Sequence, residues 1–273
     1  MKRSSERPVK RRKGIPTYVL VTIILAAVCV LIVCAFKLIS ISNSYKAADD
    51  AYAAINQMFK KDKDKNQDQK KGLDVLIEES DFEWDFDALV DYCSDSVGYI
   101  FQEGVMSYPI VQAEDNDKYL RNLMNGEYNV AGTLFVDCRF PKGLEGKYSI
   151  IYGHNMYNIT MFGTIPEYVN EEYYRAHPTF DIFVGYKHYR YHVFSAFVAD
   201  AEGYVYTYDV DEMEPADRKA FFDQLRADGE YETDFRELTA DDNVVVLSTC
   251  VTWKDYSLRN VVCLVRAEEI VGW

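Results

Sequence analysis

VVVLSTCVTWKDYSLR, residues 244–259, joins two apolar runs through a polar connection. Val244–Leu247 is apolar and β-branched, which reads as a buried strand. It ends at Ser248-Thr249-Cys250, so a thiol sits where a strand stops. Arg259 opens the second run, Val261–Val265, after the polar stretch Thr252–Ser257. Two neighbouring strands would hold a thiol and a guanidinium at one end of a sheet. A thiolate is a strong nucleophile, and a nearby cation favours it and stabilises developing negative charge. A strand cysteine also serves as a small hydrophobe, with the arginine on the surface. A Cys250–Cys263 disulfide between the same two strands is a further alternative.

Outward from this stretch, the chain alternates short β-rich runs with turns. Val97–Phe101, Val105–Val111, Gly132–Val136, Tyr148–Tyr152, Phe180–Tyr186 and Tyr189–Val198 are rich in Val, Ile, Tyr and Phe. With the two strands above they predict a mostly β domain of eight strands, closed as a barrel, with peripheral helices. Helices are expected over Asn116–Met124, Ile165–Arg175 and Pro215–Arg226, where Pro215 suits a first turn. Phe86, Leu89, Val90 and Cys93 recur at helical spacing before the first strand. The β domain is placed at 85–273.

Ahead of it lie three different textures. Residues 1–17 form a basic tail. Tyr18–Phe36 is nineteen residues without a charge, long enough to cross a bilayer as a helix. Residues 37–84 are read as a polar linker or helix; Ser44–Lys71 is dense in Ala, Lys, Asp and Gln, and its KKDKDKNQDQKK core reads as a solvated helix or spacer rather than a core element. Residues 1–36 carry seven Lys/Arg against one Glu, and the positive-inside rule keeps that end in the cytoplasm. Everything after the span then faces outside. A cleaved signal peptide would need a shorter apolar core and a small-residue site, which Ala-Phe-Lys-Leu does not supply. Val33 before Cys34 likewise makes a poor lipoprotein site.

The whole chain of 273 residues has a formal charge of −14, and 48% hydrophobic content allows a sizeable core. The first 36 residues are strongly basic, so the remainder is strongly acidic. Such a surface argues against nucleic acid. No C-x-x-C occurs, and His188–His192 runs from a turn into a strand, so no metal pair is read. Of four histidines, His154 alone sits like Cys250, just past a strand end and behind Gly153. His177 and His188 read as solvated loop and turn residues, and His192 as a strand-face residue.

Six stretches, in order, resemble the class B sortases of Gram-positive bacteria. They are SVGYI (96–100), YPIVQAEDNDKYL (108–120), GTLFVD (132–137), IIYGHNMYNITMF (150–162), VFSAFVAD (193–200) and VVVLSTC (244–250), followed by Arg259. The insert between Tyr204 and Asn243, with its helix, is similar to a class B feature. Pilin-polymerising class C enzymes usually carry a second membrane span and an Asp-Pro lid, neither of which is seen here. Val251 departs from the acidic residue that often follows the nucleophile.

The resemblance implies a sortase-type barrel and a membrane-anchored cysteine transpeptidase. Cys250 would be the nucleophile, His154 the general acid and base, and Arg259 the oxyanion or substrate donor. Asn116, Leu120, Tyr204, Val205 and Ser248 match substrate-groove positions. The implied partners are a Pro/Thr-containing C-terminal sorting signal of surface proteins and an amine on a peptidoglycan precursor (lipid II) or a pilin. No cofactor and no metal are expected. A cysteine endopeptidase that mainly hydrolyses its thioester, and a non-catalytic surface-binding barrel, are the competing readings.

Overall fold

The computed structural model describes residues 16–58, 85–252 and 255–270. The basic tail, the KKDKDKNQDQKK segment and Gly72–Trp84 fall almost wholly outside them. The chain divides into a unit ending at Lys46 and a larger one running from Ala47.

Helix α1 spans Thr17–Met58, and its apolar part is long enough to cross a membrane. It does not stop at Phe36. Ala48, Tyr52 and Ile55 are buried, on one face at i, i+4 and i+7. The Ala-, Lys-, Asp- and Gln-rich composition of Ser44–Met58 thus hides three buried positions at helical spacing, while the KKDKDKNQDQKK core read as a solvated helix or spacer lies outside the described residues. Asn56 fixes the same turn, donating to the Ser107 carbonyl at 3.2 Å and accepting from the Tyr99 hydroxyl.

The larger unit is a closed barrel of eight strands. They are β1 (Ser96–Gln102), β2 (Met106–Val111), β3 (Leu134–Val136), β4 (Tyr148–Tyr152), β5 (Thr179–Val184), β6 (Lys187–Asp200), β7 (Val244–Thr252) and β8 (Asp255–Ile270). Their order around the barrel is β1-β2-β3-β4-β7-β8-β6-β5. Closure leaves no strand edge unpaired. The β2–β3 and β4–β7 pairs are parallel and the others antiparallel. Each β-branched run therefore became a strand, because inward residues such as Ile100, Ile150, Ile182, Val246 and Leu264 are wholly buried. Hydrophobic burial of about 1.5–3 kcal/mol for each such side chain makes the pattern decisive over weaker turn preferences.

Helices are less regular than their spacing predicts. Asn116–Met124 is not helical. The Asp115 carboxylate accepts from the Asp117 and Lys118 backbone N–H groups at 2.9 and 2.8 Å, a local turn that competes with helix. Asn122 then bridges to Tyr128, folding the segment back. Ile165–Arg175 breaks in two. A 3-10 turn covers Ile165–Val169, and the Asn170 side chain caps a separate helix α3, Glu171–Ala176, by accepting from the Glu172 N–H. Two other expectations hold in outline: α2 spans Phe86–Tyr92 and α4 Pro215–Ala227.

His188 is buried, not a solvated turn residue. Opposite Phe183 in the β5–β6 register, it stacks on that ring at 4.2 Å, and its Nε2 lies 3.3 Å from the Asp181 carboxylate. The hairpin pairs up to its last residues, which pulls the histidine under its neighbours. His192 stacks on Phe235 from a strand face, and the backbone carbonyl of the half-buried His177 accepts from Gln102 and Tyr168.

Strand β1 passes very close to β5. A Cβ at Gly98 would stand 2.4 Å from the Phe183 carbonyl oxygen. Gly98→Ala should therefore cost about 1–3 kcal/mol of stability. A chemical denaturation midpoint equal to that of the unsubstituted protein would refute this close packing.

Candidate active site

The site forms where β4, β7 and β8 end together. In the parallel β4–β7 ladder Tyr152 aligns with Ser248. Pairing runs on past β4: the Gly153 N–H donates to the Ser248 carbonyl at 3.2 Å, and the Thr249 hydroxyl donates to the Gly153 carbonyl at 2.7 Å. Gly153 must be glycine, since a Cβ would fall 2.4 Å from Leu134 and 2.6 Å from the Phe162 ring. The next residue is His154. Asn155 follows and donates its side-chain amide to the Cys250 carbonyl at 3.0 Å. In the antiparallel β7–β8 ladder Cys250 lies directly across from Arg259. Both are partly exposed, and one Arg259 guanidinium nitrogen donates to the Leu258 carbonyl at 3.0 Å.

His154 Nε2 is 2.7 Å from the Leu120 carbonyl oxygen. A carbonyl only accepts, so Nε2 carries the hydrogen and Nδ1 of the neutral ring holds the lone pair. Cys250, His154 and Arg259 line one cavity of about 880 Å³.

No protein-family model matches the chain. Sortase B of Listeria monocytogenes is 30% identical over 169 residues, which are 62% of this chain and 68% of that protein. The crystal structure of Bacillus anthracis sortase B aligns with a TM-score of 0.65 and 28% identity, over 82% of this chain and 98% of that one. A Staphylococcus aureus sortase B–substrate complex aligns at 0.61 and 26%, over 68% and 85%. The chain belongs to the class B sortases. It is a cysteine transpeptidase, as its relatives are.

Of the groove positions expected in this sortase, Asn116, Leu120, Tyr204 and Ser248 line the cavity beside the three central residues. Val205 does not. It is buried, and its carbonyl accepts from the Tyr148 hydroxyl at 2.6 Å. Successive residues of the 3-10 turn Tyr204–Tyr206 point about 120° apart, so Val205 turns into the core and Tyr206 faces the groove instead. Asn116 is engaged within the protein: its side-chain oxygen accepts from the Cys138 N–H at 2.8 Å.

The sequence reading missed an aromatic and charged wall formed by Arg139, Tyr152, Tyr206 and Tyr208. Tyr206 stacks on Tyr152, with ring centroids 6.4 Å apart, and its hydroxyl meets that of Ser248 at 2.9 Å. Arg139 pairs with the fully buried Asp137 at 2.6 Å. Burial alone would raise the Asp137 pKa, but hydrogen bonds from Arg139 and Asn116 outweigh it and hold the carboxyl below its ordinary value. The Tyr204–Tyr208 repeat, YVYTY, was the available signal. No metal cluster of three or more His, Cys, Asp or Glu side chains occurs among the described residues.

The Cys250–Cys263 alternative does not form; both are free thiols. Cys263 lies across from Val246, four residues up β7 from Cys250. That separation is about 13 Å along a strand, far beyond disulfide reach. Burial pushes the Cys263 thiol pKa up and leaves it inert.

Burial lowers the pKa of His154, and the Arg121 charge adds to this; the Leu120 hydrogen bond works the other way and loses. An NMR titration of the free protein should therefore place the His154 midpoint below 6.5, with the hydrogen on Nε2 in the neutral ring. A midpoint above 6.5, or an Nδ1–H tautomer, would contradict this environment.

Proposed function

We propose that Cys250, His154 and Arg259 carry out transpeptidation on a Pro/Thr-containing sorting signal. The observation that carries this is the β7–β8 register, which faces Cys250 with Arg259 beside the His154 mouth. The Cys250 thiolate attacks the Thr carbonyl carbon. Arg259 donates to the oxyanion or to the substrate backbone. As the intermediate collapses, the C–N bond breaks and the leaving amine takes a proton from His154. The thioester remains on Cys250. An acceptor amine then attacks it, gives a proton to His154 and releases the thiolate as the new amide forms. With Nε2 held by Leu120, Nδ1 is the nitrogen that exchanges protons.

Two relatives support the substrate classes. One class B sortase has been solved with a substrate and one with a triglycine. The acceptor in this reading is an amine of lipid II or of a pilin. The Pro/Thr motif lies along the groove lined by Leu120, Tyr204 and Tyr206. The apolar part of α1 anchors the enzyme, with the seven basic residues in the cytoplasm and the barrel outside.

Burial favours the neutral His154 ring, so the imidazolium that protonates the leaving amine is a minority form at neutral pH. Turnover falls as pH rises past its optimum because His154 loses its proton. A high-pH limb that does not follow the His154 NMR midpoint would show that account wrong.

The direct test uses the full chain in detergent micelles, a panel of Pro/Thr peptides and triglycine, read by mass spectrometry. An acyl adduct on Cys250 and a new amide are expected, both lost in Cys250→Ala. Arg259→Lys should lower kcat by about tenfold or more, since a point charge cannot replace the planar fork. Cleavage that persists in Cys250→Ala overturns the assignment.

A further inference from the structure

Two separate segments hold His154. One is the Leu120 carbonyl, on the turn between β2 and β3. The other is its own loop, where the Phe162 N–H donates to the His154 carbonyl at 3.0 Å and Asn155 bridges to Met161. That loop is strained: Ile159 and Met161 have φ of 58° and 53°, in the left-handed region that a β-branched residue such as Ile159 seldom adopts. Such a loop persists only where its surroundings over-determine it.

Tyr52, near the end of α1, touches what supports both segments. Its ring packs edge-on against Tyr108 at 5.3 Å, and the Tyr108 hydroxyl accepts from the Met161 N–H at 3.0 Å. Its own hydroxyl donates to the Gly132 carbonyl and lies 3.2 Å from the Thr133 hydroxyl. Gly132 has φ of 58°, and a Cβ there would stand 2.6 Å from the carbonyl oxygens of Tyr119 and Leu120. The Thr133 N–H donates to the Tyr119 carbonyl at 3.0 Å. Gly132 and Thr133 thus form the floor under the carbonyl that orients His154.

We propose that Tyr52 is a positioning residue for His154, through which the helix that carries the membrane span orders the catalytic imidazole. It acts by fixing the Gly132–Thr133 floor with its hydroxyl and the Met161 loop with its ring. The proposal rests on the assignment of His154 as the proton-transfer group. The 119–133 segment and the 154–162 loop are tied to the strands at single points, such as Asn155 to Cys250 and Met161 to Tyr108, so a contact that supports both has leverage that a contact within one strand lacks.

Full-length protein in detergent micelles, carrying Tyr52→Phe or Tyr52→Ala, tests it. Tyr52→Phe keeps the ring and cuts the hydroxyl bond. The expected result is a several-fold lower kcat, about what one lost hydrogen bond gives, with KM within about twofold and Cys250 alkylation unchanged. Loosening the floor admits water, so the His154 NMR midpoint should move up, back toward its ordinary value. Tyr52→Ala should show both effects more strongly. A folded Tyr52→Phe protein with the kcat and the His154 titration of the unsubstituted enzyme overturns the proposal. So does a lowered melting temperature with an unmoved His154 midpoint, since that is a purely structural role. The titration does not depend on what His154 does in turnover. A moved midpoint with unchanged kcat, together with an active His154→Ala enzyme, would locate the failure in the assignment of His154 and not in the clamp.

Discussion

The parallel pairing of β4 with β7 is the constraint on which the site depends. It aligns Tyr152 with Ser248, so the residues that follow each strand emerge at one rim. Parallel strands cannot be joined by a hairpin; they need a long connection. Here that connection runs from His154 to Asn243, taking in β5, β6 and α4. The chain therefore closes most of the barrel between placing His154 and placing Cys250. A single residue of slip between β4 and β7 would turn every inward side chain outward. Full burial of Ile150, Val246 and Leu247 makes that slip prohibitive. Hydrophobic burial thus sets where the His154 and Cys250 segments emerge, without either residue contributing to it.

Cys250 and Arg259 gain their relation in a different way. They face each other across an antiparallel ladder, so backbone hydrogen bonds fix them over many residues of β7 and β8. Their environments diverge along the same strands. Cys263, four residues deeper, is fully buried and its thiol pKa is driven up, whereas Cys250 stands partly exposed at the rim. One sheet holds an inert thiol and an accessible one, and position along the strand decides between them.

Much of this was legible in residues alone because strands in a closed barrel bury β-branched side chains. The runs around Ile150, Ile182 and Val246 mark three strands with little ambiguity. His154 and Cys250 were separable from their fellows because each follows such a run immediately. What escaped depended on contacts between distant segments. Tyr52 sits in a stretch whose polar composition hides a buried face. Val205 and Tyr206 differ only in which way a 3-10 turn points them. The turn at Asn116–Met124 has helical spacing, but the Asp115 side chain captures its first N–H groups. His188 looked like a turn residue, and Phe183 and Asp181 close over it. In each case a local preference lost to a specific side-chain partner, which composition does not encode.

The three central residues are consequently not held alike. Cys250 and Arg259 are parts of a ladder, and any movement of one must break strand pairing. His154 lies beyond the last ladder bond, on a loop with left-handed non-glycine residues, and takes its orientation from a carbonyl on another loop. Rigid sites on strands are precise, and loop sites are precise only where their supports are. A ring held by one carbonyl and a strained loop has more freedom than a residue within a ladder. The same freedom makes it the member most sensitive to what packs beneath it. The end of α1 packs there, through Tyr52 against Gly132, Thr133 and Tyr108. The least constrained of the three is thus the one whose supports rest on the end of α1, while Cys250 and Arg259 stay fixed by the barrel.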